Sequence, residues 1–161
     1  MKNQLINKVN ISLLALLLLL SVQTVFAQVA KMAPKDGSTI KMSKYSFDET
    51  VDILHGAIEE QNLMVIHVVD AQKMLRMAGK KVKGMKQIFY FHPKYMKRVM
   101  EANKLATIQV PLKFIVMEKP NGKVILRYFL PSNLLGSYKG EEQIAKELDG
   151  LVQKIINEIS N

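Results

Sequence analysis

The sequence predicts an α+β fold: a single mixed β-sheet of about five strands, in the order β-α-β-α-β-α-β-β-α, packed by helices. Three observations predict it. Short apolar or alternating runs recur between segments of helical spacing in that order, the signature of a sheet covered by helices. Asn121-Gly122 separates two apolar alternating runs, the strongest short-range hairpin signal. The chain ends in a long amphipathic segment, from Glu141 to Ile159, with Ile144, Leu148, Leu151, Val152, Ile155, Ile156 and Ile159 on one face. Such a face needs a sheet to lie on.

In chain order, residues 28–39 contain Pro34, Asp36 and Gly37 and read as a flexible lead-in to a single domain over 40–161. Ile40 and Met42 alternate with Lys41 and Ser43, which predicts a short strand. Ser46-Phe47-Asp48-Glu49 then places a hydroxyl at a helix cap and a carboxylate three residues on, where each can satisfy orphan amides. That helix buries Val51, Leu54, Ala57 and Ile58 and ends near Gln61-Asn62. Leu63 to Val69 is almost unbroken apolar, interrupted by His67, the pattern of a strand covered on both faces. Asp70 caps a short helix through Met74, Leu75 and Ala78, stopped by Gly79. Lys80, Lys81, Lys83 and Lys86, around Gly79 and Gly84, read as a basic loop tip.

Met85 to Phe91 is rich in aromatic and branched residues and reads as a central strand, closed by His92-Pro93. Proline suits the first turn of a helix, where its missing donor is not needed; Tyr95, Met96, Val99 and Met100 carry that helix to about Ala102. Val110-Pro111 breaks the chain before Leu112 to Glu118, and Val124 to Leu130 follows the Asn-Gly turn as its antiparallel neighbour. Past Pro131, a loop with Gly136, Tyr138 and Gly140 leads to the last helix. The order of the strands in the sheet does not follow from these patterns.

The N-terminus has its own signature. Lys2 and Lys8 precede an uncharged leucine block, Leu13 to Leu20, and Val25-Phe26-Ala27 offers the residues a signal peptidase inspects. This predicts a secretory signal peptide over 1–27, cut after Ala27, and a periplasmic or secreted protein. The apolar block is shorter than the roughly 20 residues a membrane span needs, so no stable anchor is expected after cleavage. No cysteine occurs, which excludes disulfides, thiolate catalysis and cysteine-based metal sites. The net charge is +9, and Lys2 and Lys8 are the only charges before Ala27, so the mature chain carries +7. In a cytoplasmic protein that excess would raise nucleic acid as a partner; export argues against it.

Tyr45-Ser46 before Phe47-Asp48-Glu49, the run Leu63 to Asp70, the His92-Pro93 strand end, Val110-Pro111-Leu112-Lys113, Val116-Met117-Glu118, Asn121-Gly122-Lys123-Val124 and Pro131 carry a likeness. Over roughly Met42 to Leu135 the chain resembles the domain of unknown function 302 family. The resemblance implies a compact α+β domain, often dimeric, with no agreed activity. The family commonly has Asn where this chain has His92, and some members have a cysteine nearby that this chain lacks.

For chemistry, His92 comes first, because the end of a central strand running into a helix start favours ligands and anions; otherwise it serves as that helix's cap. His67, mid-strand beside Val65 and Val69, is expected to be partly buried. Together with Tyr90 and Pro93 these form the expected ligand-binding set. His55 with Glu59 reads as surface decoration. Methionines at one-turn spacing, Met74 with Met77 and Met96 with Met100, either fill an irregular core, line a greasy pocket or act as soft ligands; His92, Met96 and Met100 are the candidate metal residues, for copper or as axial ligands of haem. No nucleophile elbow, paired-histidine motif or phosphate-cradling glycine loop is present, so a non-enzymatic module for a small ligand or a protein is the leading reading. A haem or copper carrier, and a hydrolase or isomerase, are the alternatives; a homodimer is a possible assembly.

Overall fold

The computed structural model describes residues 34–160. The expected signal peptide over 1–27, its cut after Ala27 and residues 28–33 of the lead-in lie outside the described residues. Within them, five strands and five α-helices follow one another: β1 (Thr39–Met42), α1 (Phe47–Glu60), β2 (Met64–Asp70), α2 (Ala71–Met77), β3 (Met85–Phe91), α3 (Pro93–Ala102), a 3-10 helix (Lys104–Gln109), β4 (Leu112–Glu118), β5 (Val124–Tyr128), α4 (Pro131–Leu135) and α5 (Glu142–Ser160). The α+β sheet with a long C-terminal helix is as the sequence predicts; the 3-10 helix and α4 occupy stretches that read as loops. Among the described residues no helix is long and apolar enough to cross a membrane.

The strands form one sheet in the order β1-β5-β4-β3-β2. Every pairing is antiparallel, where the sequence reading expected a mixed sheet. The reason lies in the connections. Parallel neighbours need a crossover that spans the sheet, but β2–β3, β3–β4 and β4–β5 each return directly to the adjacent position. Only α1 carries the chain from one edge to the other, from β1 to β2. The β4–β5 turn is the expected hairpin: Gly122 sits at φ 78°, and the Lys119 and Lys123 backbones bond across it at 2.8 Å.

One sheet face is the core. The pairs Ile88–Phe114, Tyr90–Leu112, Phe114–Tyr128 and Val116–Leu126 share that face, and all these residues are buried. The Tyr90 ring stacks on Phe114 with centroids 4.7 Å apart, and Phe114 meets Tyr128 edge-on at 5.5 Å. Onto this face α1 lays Leu54 and Ile58, α3 lays Val99, and α5 lays Leu148, Ile155 and Ile159. At the start of α1 the Glu49 carboxylate accepts both the Ser46 amide, at 3.0 Å, and the Ser46 hydroxyl, at 2.6 Å. That fixes the helix start at the residue the sequence indicates.

β2 departs from expectation. Its apolar run predicted cover on both faces, yet it is an edge strand with a bulge between Val65 and His67. Val65 and Val68 pack on the core, while Met64 and Ile66 are 52% and 57% exposed. A bulge redirects alternation, so apolar side chains land on both sides of a strand that has only one covered face. The lead-in, too, is partly tied down: Arg127 of β5 pairs with Asp36 and donates to Ser38 at 2.9 Å, and Asn133 donates to the Gly37 carbonyl at 3.0 Å.

Candidate functional site

Adjacent strand residues point to opposite faces, and this alone divides the expected ligand-binding set. Tyr90 faces the core and is fully buried; burial pushes its phenol far above the usual range, and it presents nothing to a ligand. His67 pairs with Phe89 and so lies on the opposite face, exposed where partial burial was expected, because its strand is an edge. His92 is the cap of α3: its Nδ1 accepts the Lys94 amide at 3.0 Å, with Pro93 exposed at the first helical position. The structure therefore does not bring Tyr90, His67 and His92 into one pocket.

Of the helical methionine pairs, Met74 and Met77 are exposed, and Met96 and Met100 lie at or outside the margin of the core. None of the eight in the described residues belongs to the buried core. Met96 packs at the core margin and Met100 is half exposed. Among the described residues no three His, Asp or Glu side chains are grouped so that they could hold a metal ion.

Met85 and Met117 instead lie on the second face of the sheet. Met85–Met117, Gln87–Ile115, Phe89–Lys113 and Met117–Ile125 are cross-strand pairs on it, and none of these residues joins the main core. At the Met85–Met117 end the lysine loop folds over to leave a cleft of about 600 Å3, bounded by Lys81, Val82, Met85, Met117 and Pro120. Its wall is held by backbone and charge. Glu118 donates its amide to the Gly84 carbonyl at 2.8 Å, and its carboxylate lies 3.9 Å from the Lys83 ammonium. Gly84 is required here, since a Cβ would come within 2.7 Å of the Phe47 ring. Lys81 enters none of the ion pairs of the described residues. The arrangement is an apolar slot with a cation at its lip, within the size range of small-molecule pockets. Sequence reading saw the lysines as a loop tip; the signal for the slot was the period-two placement of Met85 and Met117 opposite the core residues.

One further group escaped the sequence reading. Glu141, immediately before α5, is completely buried and neither carboxylate oxygen has a hydrogen-bond partner. Burial raises its pKa above the ordinary carboxylate value, opposed by the nearby Asn103 backbone amide and aided by the neighbouring Glu142.

The family model for the domain of unknown function DUF302 matches residues 39–160. The chain belongs to the DUF302 family. Among solved structures, that of an uncharacterized conserved protein DUF302 from Bacillus stearothermophilus is similar, with a TM-score of 0.70 at 17% identity, covering 76% of this chain and 98% of that one. At that identity the likeness concerns the fold. No curated protein matches this DUF302 chain. The matched segment of the DUF302 domain begins at β1 and ends with α5, so it contains both sheet faces and the cleft.

Proposed function

We propose that this DUF302 domain is an exported, non-enzymatic binding module that holds a small anionic ligand with an apolar body in the cleft beneath the lysine loop. The observation that supports this is the uncommitted Lys81 ammonium at the lip of a slot walled by Val82, Met85, Met117 and Pro120. Methionine suits such a wall, since its flexible, polarizable side chain adapts to varied apolar shapes. The site moves from the strand ends around His92, where the sequence placed it, to the far end of the same strand.

Native mass spectrometry of protein purified gently from its own host compartment tests the reading. A bound small molecule that is displaced in Met117→Lys, which fills the slot with a second charge, is the expected result. Only ligand-free protein, or a ligand retained in that variant, counts against the cleft. A fractionation finding the chain uncleaved in the cytoplasm would remove the export half of the proposal.

A further inference from the structure

We propose that a second groove, at the other end of β3 and β4, binds a single-chain anionic amphiphile, a long-chain carboxylate, independently of the lysine-loop cleft. The groove has a volume of about 370 Å3 and runs between the 3-10 helix and α4 on the second sheet face. Phe89, Val110, Pro111, Phe129 and Leu134 wall it, and Ile108 forms its rim. That rim is unusual: Ile108 is 80% exposed, and Leu105 on the same 3-10 helix is 77% exposed. Residues three apart eclipse in a 3-10 helix, so the two stack into one apolar lip. A lip of this kind is costly in water and is explained by a chain lying along it.

The charge at the inner end sets the ligand's sign. Lys113 lines the groove, is exposed, and takes part in none of the ion pairs of the described residues; its Nζ rests 5.8 Å from the centre of the Phe89 ring. Beyond it, Lys113 and Phe129 also border a smaller pocket of about 170 Å3 that contains Asp36, Ser38 and Arg127. There the Arg127 guanidinium is committed to Asp36 and Ser38, so its charge is already answered. One uncommitted cation beside one apolar trough matches one negative charge on one apolar tail. A polyanion would need several free cations, and a neutral lipid would leave Lys113 without a role.

Titration of the purified mature protein with dodecanoate, below its micelle concentration, and with dodecanol as the uncharged counterpart tests this. Dodecanoate is expected to bind saturably, and NMR shifts are expected at Phe89 and Ile108. Lys113→Met keeps the apolar stem and should weaken dodecanoate roughly tenfold, the loss of one charge-assisted bond, while leaving dodecanol unchanged. Ile108→Ser should weaken both. Equal effects of Lys113→Met on the two ligands, no saturable dodecanoate binding, or binding only to anionic vesicles would overturn the proposal. Met117→Lys separates the two sites: dodecanoate binding that survives it supports the groove, and binding abolished by it assigns the carboxylate to the lysine-loop cleft instead.

Discussion

The two faces of β3 and β4 are made from the same seven-residue strands, yet they have opposite fates. On one, Ile88, Tyr90, Phe114 and Val116 are shut beneath α1 and α5; on the other, Met85, Gln87, Phe89, Lys113, Ile115 and Met117 stay outside the core. Both faces are rich in apolar side chains. The difference is in kind: branched and aromatic residues fill the covered face, with Lys86 only at its end, whereas methionines, a lysine and a glutamine are interspersed on the other. Rigid shapes suit a single packing arrangement, and adaptable ones suit a surface that meets variable partners. The covered face carries the stability, and the second face is where binding is proposed.

The largest effect expected from this contrast comes from paired truncations on the two sides. Phe114→Ala should lose about 3–5 kcal/mol, since it empties a stacked aromatic cluster, while Phe89→Ala on the other face should lose about 1 kcal/mol or less. Chemical denaturation of both variants checks this, and equal losses would break the distinction between the faces.

A smaller effect is expected where the core contains a charge it does not accommodate. Glu141 has a folded-state pKa above its ordinary value of 4.5, so folding favours its protonated form. Its contribution to stability is fully present below that ordinary value and is lost as pH rises through the raised one. Glu141→Gln should therefore stabilise the domain at neutral pH, by roughly 1–3 kcal/mol, and the advantage should vanish in acid. Thermal melts of both proteins across pH 4 to 8 read the difference directly; a constant offset would show that ionisation is not its source.

The smallest effect concerns His92. If it serves α3 as a cap, His92→Ala costs about 1 kcal/mol and His92→Asn restores the loss, because an amide oxygen can accept the Lys94 amide as Nδ1 does. Ligand occupancy measured on the same variants should not change. A loss of ligand in the asparagine variant would return His92 to the binding site.

Much of the fold was legible because its signals are local. Capping at Ser46 and Glu49, the Asn-Gly turn, proline at the start of α3 and the apolar stripe of α5 each depend on neighbours within a few residues. β2 was misread because an edge strand with a bulge and a doubly covered strand produce the same apolar run. The residues of the expected binding set are separated for a related reason. Tyr90 lies in His67's partner strand and His92 directly follows it, but alternation sends Tyr90 inward and a backbone amide bonds His92.

The family likeness, the α+β class, the Asn-Gly turn and the positions of α1, α2, α3 and α5 were determined by the sequence alone, because periodicity, caps and turn residues act through the chain's own backbone. The strand order, the antiparallel pairing throughout and the exposure of β2 were decided only by the tertiary structure. So were the burial of Glu141 and the meeting of Met85 with Met117 beneath the lysine loop. Each of these depends on which surfaces cover which, and burial is a relation between segments distant in sequence that no single segment encodes.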